Sequence, residues 1–205
     1  QPDTRVVATG SASPVLARGI QESGVGRWTV IQVPTMSFYE YCELLGLEQP
    51  ELPNDLNIRS LLNKTQQERS IIMMQLSGVQ NHFIRYLQVG GFPELALSGN
   101  DLMAQHIMRE DVVDKVLKRD LPALYNIRNA TELERIFLYL CNVSSEIVSV
   151  DAATKELSGV SRPTVENYIR YLESAKLIYQ SWPVDMAGKK VLKARPKIYI
   201  ADAAI

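Results

Sequence analysis

The chain has 205 residues, 46% hydrophobic and 22% charged, with 22 Lys and Arg against 23 Asp and Glu. That length supports one generous domain or two small ones. The near-neutral balance excludes a global field drawing the whole molecule onto nucleic acid or an acidic membrane, so any such surface is local. No apolar run approaches the ~18 residues of a membrane helix, and the polar start does not read as a signal peptide. Cys42 and Cys141 lie far apart with no CxxC spacing. They suit thiols in a reduced interior, so the expected compartment is the cytoplasm.

RVVAT, residues 5–9, predicts a short buried strand bounded by Gly10. Ser13-Pro14 opens a helix running to about Glu22. WTVIQV, residues 28–33, predicts a second strand. Strand, helix and strand are expected to be the later part of an α/β nucleotide-binding core, with no phosphate loop before them. The chain begins with Gln1 and enters a strand almost at once, so a cut through a larger protein is expected. Ser11 would stand at the carboxyl end of a parallel sheet, where ligands of open α/β sheets bind. Its hydroxyl suits a γ-phosphate or the attacking water. Arg27 could neutralise charge in phosphoryl transfer. Spacing alone equally fits a serine in a strand-to-helix turn and an arginine at a surface strand start.

Ser37-Phe-Tyr-Glu40 is a capping box, and Phe38, Tyr41, Cys42 and Leu45 then share a helical face. EQPELPND, residues 48–55, predicts a surface loop. From Arg59 to Arg128 the pattern is mostly helical, broken at Gly90-Gly91-Phe92-Pro93, with a long amphipathic segment near Asp101 to Leu121. Thr131-Glu-Leu-Glu134 predicts another capping box. Leu133, Ile136, Phe137 and Leu140 follow at helical spacing. Asp151 to Leu157 predicts a short helix, Ser158-Gly159-Val160 a turn, and Ser161-Arg-Pro163 the start of a third helix. On that helix Val165, Tyr168, Ile169 and Leu172 form one apolar stripe. Leu177 to Pro183 and Lys197 to Ala201 are strand-like, joined by a basic hairpin around Gly188. Three helices and a β-hairpin predict a winged helix-turn-helix.

A helix-turn-helix leaves the face opposite its apolar stripe free for the major groove. Here that face offers Arg162, Thr164, Asn167, Arg170 and Tyr171; Arg and Asn can read guanine and adenine bidentately. The hairpin adds Lys189, Lys190, Lys193, Arg195 and Lys197, suited to salt-dependent, sequence-blind phosphate contact. Two readings stay open. Glu166 and Glu173 on or near the helix face would repel phosphates, which suits protein contact, and lysines on a hairpin edge also block aggregation. His82 and His106 lie too far apart for a helical metal pair, so no metal is assigned. The chain contains neither GxSxG nor GxxxxGK[ST].

In order, VVATGSAS (6–13), GVGRW (24–28), VPTMSFYEY (33–41), YLQVGGFPEL (86–95), KRDLPALYNI (118–127), SRPTVENYIRYLESAKLI (161–178) and KIYIADAAI (197–205) span nearly the whole chain. Together they resemble the AAA-type ATPases of archaea and bacteria that carry a C-terminal winged-helix-containing domain of unknown function. The resemblance implies a mixed, mainly α chain. Residues 1–47 would end the ATPase core and begin its helical region, 48–129 would be a helical connector, and 130–205 the winged-helix domain. It implies that Thr9, Gly10 and Ser11 form the nucleotide sensor segment, and that Gly26-Arg27 is the arginine box, with Ser11 and Arg27 catalytic. Gly90-Gly91-Phe92-Pro93-Glu94 is a hallmark of these proteins, with a turn-forming job expected. ADAAI has Ala where relatives often have Gly.

The phosphate loop and Mg²⁺-binding strand do not occur in this chain. The parent protein is therefore expected to use ATP and Mg²⁺, while this fragment alone binds neither and does not hydrolyse ATP. Expected partners are duplex DNA, another protein or a second copy, and no membrane. The alternatives to an ATPase fragment are a non-catalytic winged-helix DNA-binding regulator and a protein-docking module.

Overall fold

The computed structural model describes residues 31–184 and 194–205, together with Val7, Thr9 and Thr29. It is mainly helical, and one two-stranded sheet completes the regular structure among the described residues. The described residues fall into two units. The helical unit takes Val33–Arg109 and Asp202–Ala204. The mixed unit takes Glu110–Ala201, Ile205 and the described positions before Val33. The boundaries expected at 47/48 and 129/130 both fall inside units. Tyr41 is held by Arg85 within the helical unit. Leu117 and Leu121 are buried in the same core as Leu133 and Ile136.

In the helical unit, α1 (Phe38–Leu44) starts at the expected capping box. The Ser37 N–H donates to Glu40 Oε2 at 2.7 Å, and the Glu40 N–H donates to Ser37 Oγ at 3.3 Å. Two orphan amides are thereby satisfied. The same device opens α2 (Ile58–Asn63) at Asn57/Ser60 and α3 (Gln66–Val89) at Thr65/Glu68. Helix α3 stops at Gly90, whose φ of 78° suits only a residue without Cβ. Pro93 in the first turn starts α4 (Pro93–Leu97), and Asn100 caps α5 (Asp101–Ile107). Phe38, Tyr41, Phe83 and Tyr86 form one aromatic cluster between α1 and α3. Arg85 ties four elements together: it donates to Asp101 Oδ1 and the Tyr41 hydroxyl at 2.8 Å and to the Ala96 carbonyl at 2.9 Å.

The amphipathic run read from Asp101 is helical, but it widens into π-helix over Met108–Asp114 and again over Val116–Asp120 before α6 (Leu121–Tyr125). Asn126, in the left-handed conformation, ends it.

The mixed unit packs α7 (Ala130–Asn142), α8 (Val150–Glu156) and α9 (Arg162–Ser174) around one core. The stripes Leu133, Ile136, Phe137, Leu140 and Val165, Tyr168, Ile169, Leu172 are buried as their spacing predicts. The cap of α7 differs from expectation. Asn129 accepts from the Glu132 N–H, so Thr131 lies within the helix and not at its start.

Strands β1 (Ile178–Ser181) and β2 (Lys197–Ile200) pair antiparallel, with Tyr179 opposite Tyr199. The segment 145–148 runs along the other edge of β2. The Ser145 N–H donates to the Ile198 carbonyl, the Ile198 N–H to the Glu146 carbonyl, and Ile147 bridges Lys197. Ile178 and Ile198 point into the core, so Tyr179, Tyr199, Lys197 and their cross-strand partners share the outer face.

The strands expected at 5–9 and 28–33 are not present at the described positions. Val7, Thr9, Thr29 and residues 31–33 are exposed and carry no regular structure. A short β-branched segment holds as a strand only where its amides and carbonyls pair with a neighbour, and these positions have none among the described residues. The rest of both expected strands lies outside the described residues. No helix among the described residues is long and apolar enough to cross a membrane.

Candidate nucleic-acid interface

Helix α9 is set by Ser161, whose Oγ accepts from the Thr164 N–H at 3.3 Å, and by Pro163 in its first turn. Its buried stripe fixes which side chains face outward. Arg162 is exposed, but its guanidinium is already occupied. Nη1 donates to Asp151 Oδ1 at 2.7 Å and Nε to Glu166 Oε1 at 3.0 Å. The bond to Glu166 and the charge of Asp151 raise its pKa above the usual arginine value. Thr164 lies against Ser161, Oγ to Oγ1 at 2.8 Å. Arg170 donates to Asn167 Oδ1. The Tyr171 ring stacks on Tyr125, with centroids 3.7 Å apart and planes at 11°.

The five residues expected to read a major groove therefore sit on one helix, but the Arg162 charge is paired and the Tyr171 ring is stacked within the protein. Glu173, expected to repel phosphates, accepts from the Gln180 N–H at 3.2 Å and from its side-chain amide at 2.7 Å. It covers part of the free edge of β1, a recognised way to protect a sheet edge.

Of the expected hairpin cluster, Arg195 and Lys197 are exposed and have no ion-pair partner among the described residues. Lys189, Lys190 and Lys193 lie outside the described residues. So do Gly10, Ser11 and Arg27 of the expected nucleotide site; Thr9 is exposed. Among the described residues no group of three or more His, Cys, Asp or Glu is placed to hold a metal ion. Cys42 and Cys141 are free thiols, and burial pushes Cys141 up to about 11.

Sequence reasoning missed a polar node in the helical unit. Asp202 is 7% exposed. Its Oδ2 accepts from the Gly91 N–H at 2.8 Å, and its Oδ1 accepts from the Ala204 N–H at 3.0 Å. The Gly91 carbonyl accepts from the Met36 N–H at 2.7 Å, and the Met36 carbonyl accepts from the Tyr86 hydroxyl at 2.7 Å. Burial, then the nearby carboxylates of Asp202 and Glu40, raise the Tyr86 phenol above its usual value.

The two glycines are required by this approach. A Cβ on Gly90 would stand 2.6 Å from Asp202 Oδ1, and one on Gly91 would stand 2.4 Å from the Met36 carbonyl oxygen. The available signal was the pair of glycines before Phe-Pro, which marks a close backbone approach. What approaches comes from 111 residues along the chain, beyond the reach of local pattern.

Comparison with known proteins adds a family and one relative of unassigned role. An uncharacterized protein of Haemophilus influenzae is 22% identical over 204 residues, covering 98% of this chain. The chain spans 44% of that relative's length. No solved structure matches. The match to a family model over residues 80–205, more than half of the chain, takes in the Gly90-Gly91 turn, Asp202 and all of α9 and the hairpin: the chain belongs to the family described as domain of unknown function (DUF8612).

Proposed function

We propose that this chain is a fragment of an AAA-type ATPase, that its mixed unit is a winged helix-turn-helix, and that this module contacts nucleic acid through its hairpin and not through α9. The ordered motifs from Val6 to Ile205 support the ATPase reading. The helical unit exposes Ile58, Leu62, Met73 and Met74. Apolar side chains gain from being covered, which suits a unit that seats on an ATPase core. Three helices, a hairpin and the extra extended segment at 145–148 support the winged-helix reading.

The observation that carries the choice of surface is Arg162. Held between Asp151 and Glu166, it would have to break two charge-assisted bonds to meet a base or a phosphate. Arg195 and Lys197 would break none. In the parent protein Ser11 senses the γ-phosphate, Arg27 stabilises transition-state charge, and ATP and Mg²⁺ come with the phosphate loop, which this chain lacks.

Two experiments test this. In a longer chain carrying a phosphate loop, Arg27→Ala should lower ATP hydrolysis by about 10³-fold or more; unchanged hydrolysis removes Arg27 from the site. For the module, binding of labelled DNA should fall steeply with salt and weaken when Lys189, Lys190 and Lys193 become Ala. A stable complex with a cellular protein, with indifference to DNA, would favour the docking alternative instead.

A further inference from the structure

The outer face of the hairpin combines exposed aromatic rings with unpaired cations among the described residues. Tyr179 and Tyr199 are register partners, and Lys197 lies two residues from Tyr199 on the same face. Ile147, the bridge partner of Lys197, shares that face. Tyr179 is 41% exposed, Tyr199 39% and Ile147 64%. Neither tyrosine ring takes part in a ring pair or a side-chain hydrogen bond among the described residues, whereas Tyr171 on α9 is stacked. The positions on this face are Ile147, Tyr179, Ser181, Lys197 and Tyr199, with no acid among them. Lys197 and the preceding Arg195 bring charge that no carboxylate of the described residues neutralises.

We propose that this face binds single-stranded nucleic acid, with unpaired bases stacking on Tyr179 and Tyr199 and the backbone phosphates held by Lys197 and Arg195. The proposal rests on the nucleic-acid reading given above and deepens it by naming the class of strand. The argument for this occupant is complementarity. Free aromatic faces offer bases a stacking platform that is indifferent to sequence, and unpaired cations track the phosphates. An apolar protein surface would leave two cations without a counter-charge. A duplex keeps its bases stacked on one another and has no use for exposed rings, so it would gain only the phosphate contacts.

The test uses the full chain with fluorescently labelled oligo-dT, oligo-U and a DNA duplex of equal length at low salt, followed by anisotropy. Oligo-dT should bind more tightly than the duplex. The Tyr179→Ala/Tyr199→Ala chain should lose roughly tenfold in oligo-dT affinity per ring and keep its duplex affinity. The Tyr179→Phe/Tyr199→Phe chain should retain binding, since the rings remain, and so separates loss of stacking from loss of fold. Oligo-U against oligo-dT tells RNA from DNA within the same class. Duplex binding as tight as oligo-dT, with the double alanine chain unchanged, would overturn this inference and leave the hairpin reading standing. Absence of binding to all three probes would overturn both.

Discussion

The exposed face of α9 and the outer face of the hairpin both carry cations, but on α9 the foremost one, Arg162, is neutralised by two carboxylates. On α9, Arg162 is spanned by Asp151 and Glu166, and Arg170 leans on Asn167. On the hairpin, Lys197 and Arg195 face solvent with no such partner among the described residues. The number of basic residues on an element therefore says little about its field; the carboxylates one turn away or on the next helix decide it. The helical unit extends the contrast, because its Asp202 is committed to two backbone amides. Committed groups should show themselves in stability, and free groups in binding.

The largest effect is expected from Gly91→Ala. The new methyl would meet the Met36 backbone, which cannot swing aside. A loss of about 2–3 kcal/mol is expected from such overpacking, measured by urea unfolding followed by circular dichroism. Asp202→Ala comes next. It leaves the Gly91 and Ala204 amides without their acceptor, for about 1–3 kcal/mol. Asp202→Asn keeps an acceptor oxygen and should lose clearly less. Equal losses in the two variants would mean that the carboxylate's charge, which both remove, and not an accepting oxygen of the right shape, is what matters.

On the binding side, Lys197→Ala/Arg195→Ala should leave the unfolding midpoint within about 0.5 kcal/mol of the parent while weakening oligonucleotide binding. Arg162→Ala should leave the unfolding midpoint nearly where it was, because both of its ion pairs are exposed, and leave oligonucleotide binding alone.

The smallest effect concerns acid. The backbone amide and hydroxyl of Ser37 hold Glu40 below its ordinary value, and Thr65 does the same for Glu68. A carboxylate depressed in the folded state lends stability above its unfolded value, near 4.5, and loses it as pH falls through the folded one. Helicity should therefore decline on acidification below that range. Glu40→Gln and Glu68→Gln should flatten the decline, as followed by circular dichroism.

Where one helix buries one stripe, the sequence was enough. Leu133 to Leu140 and Val165 to Leu172 repeat at the helical period, and both stripes are buried. The Ser37/Glu40 cap was legible because its partners lie three residues apart. The cap of α7 was misplaced because Asn129 and Thr131 both stand three residues before a glutamate, and only the backbone decides between them. The partners of Arg162 and Gly91 were not legible. Asp151 lies on another helix, and Asp202 is 111 residues from Gly91. The strands expected near the start followed from β-branched composition, which states a preference for a pleated surface; their described positions are exposed, and the rest lies outside the described residues.

The salt dependence of oligo-dT binding, compared between the Arg162→Ala and Lys197→Ala/Arg195→Ala chains, tests the contrast most directly. If the hairpin holds the phosphates, Arg162→Ala keeps the parent's slope of log affinity against log salt, and the hairpin variant's slope is shallower by about 0.7 for each cation removed. A slope that flattens in Arg162→Ala and stays put in the hairpin variant would contradict the account and return the contact to α9.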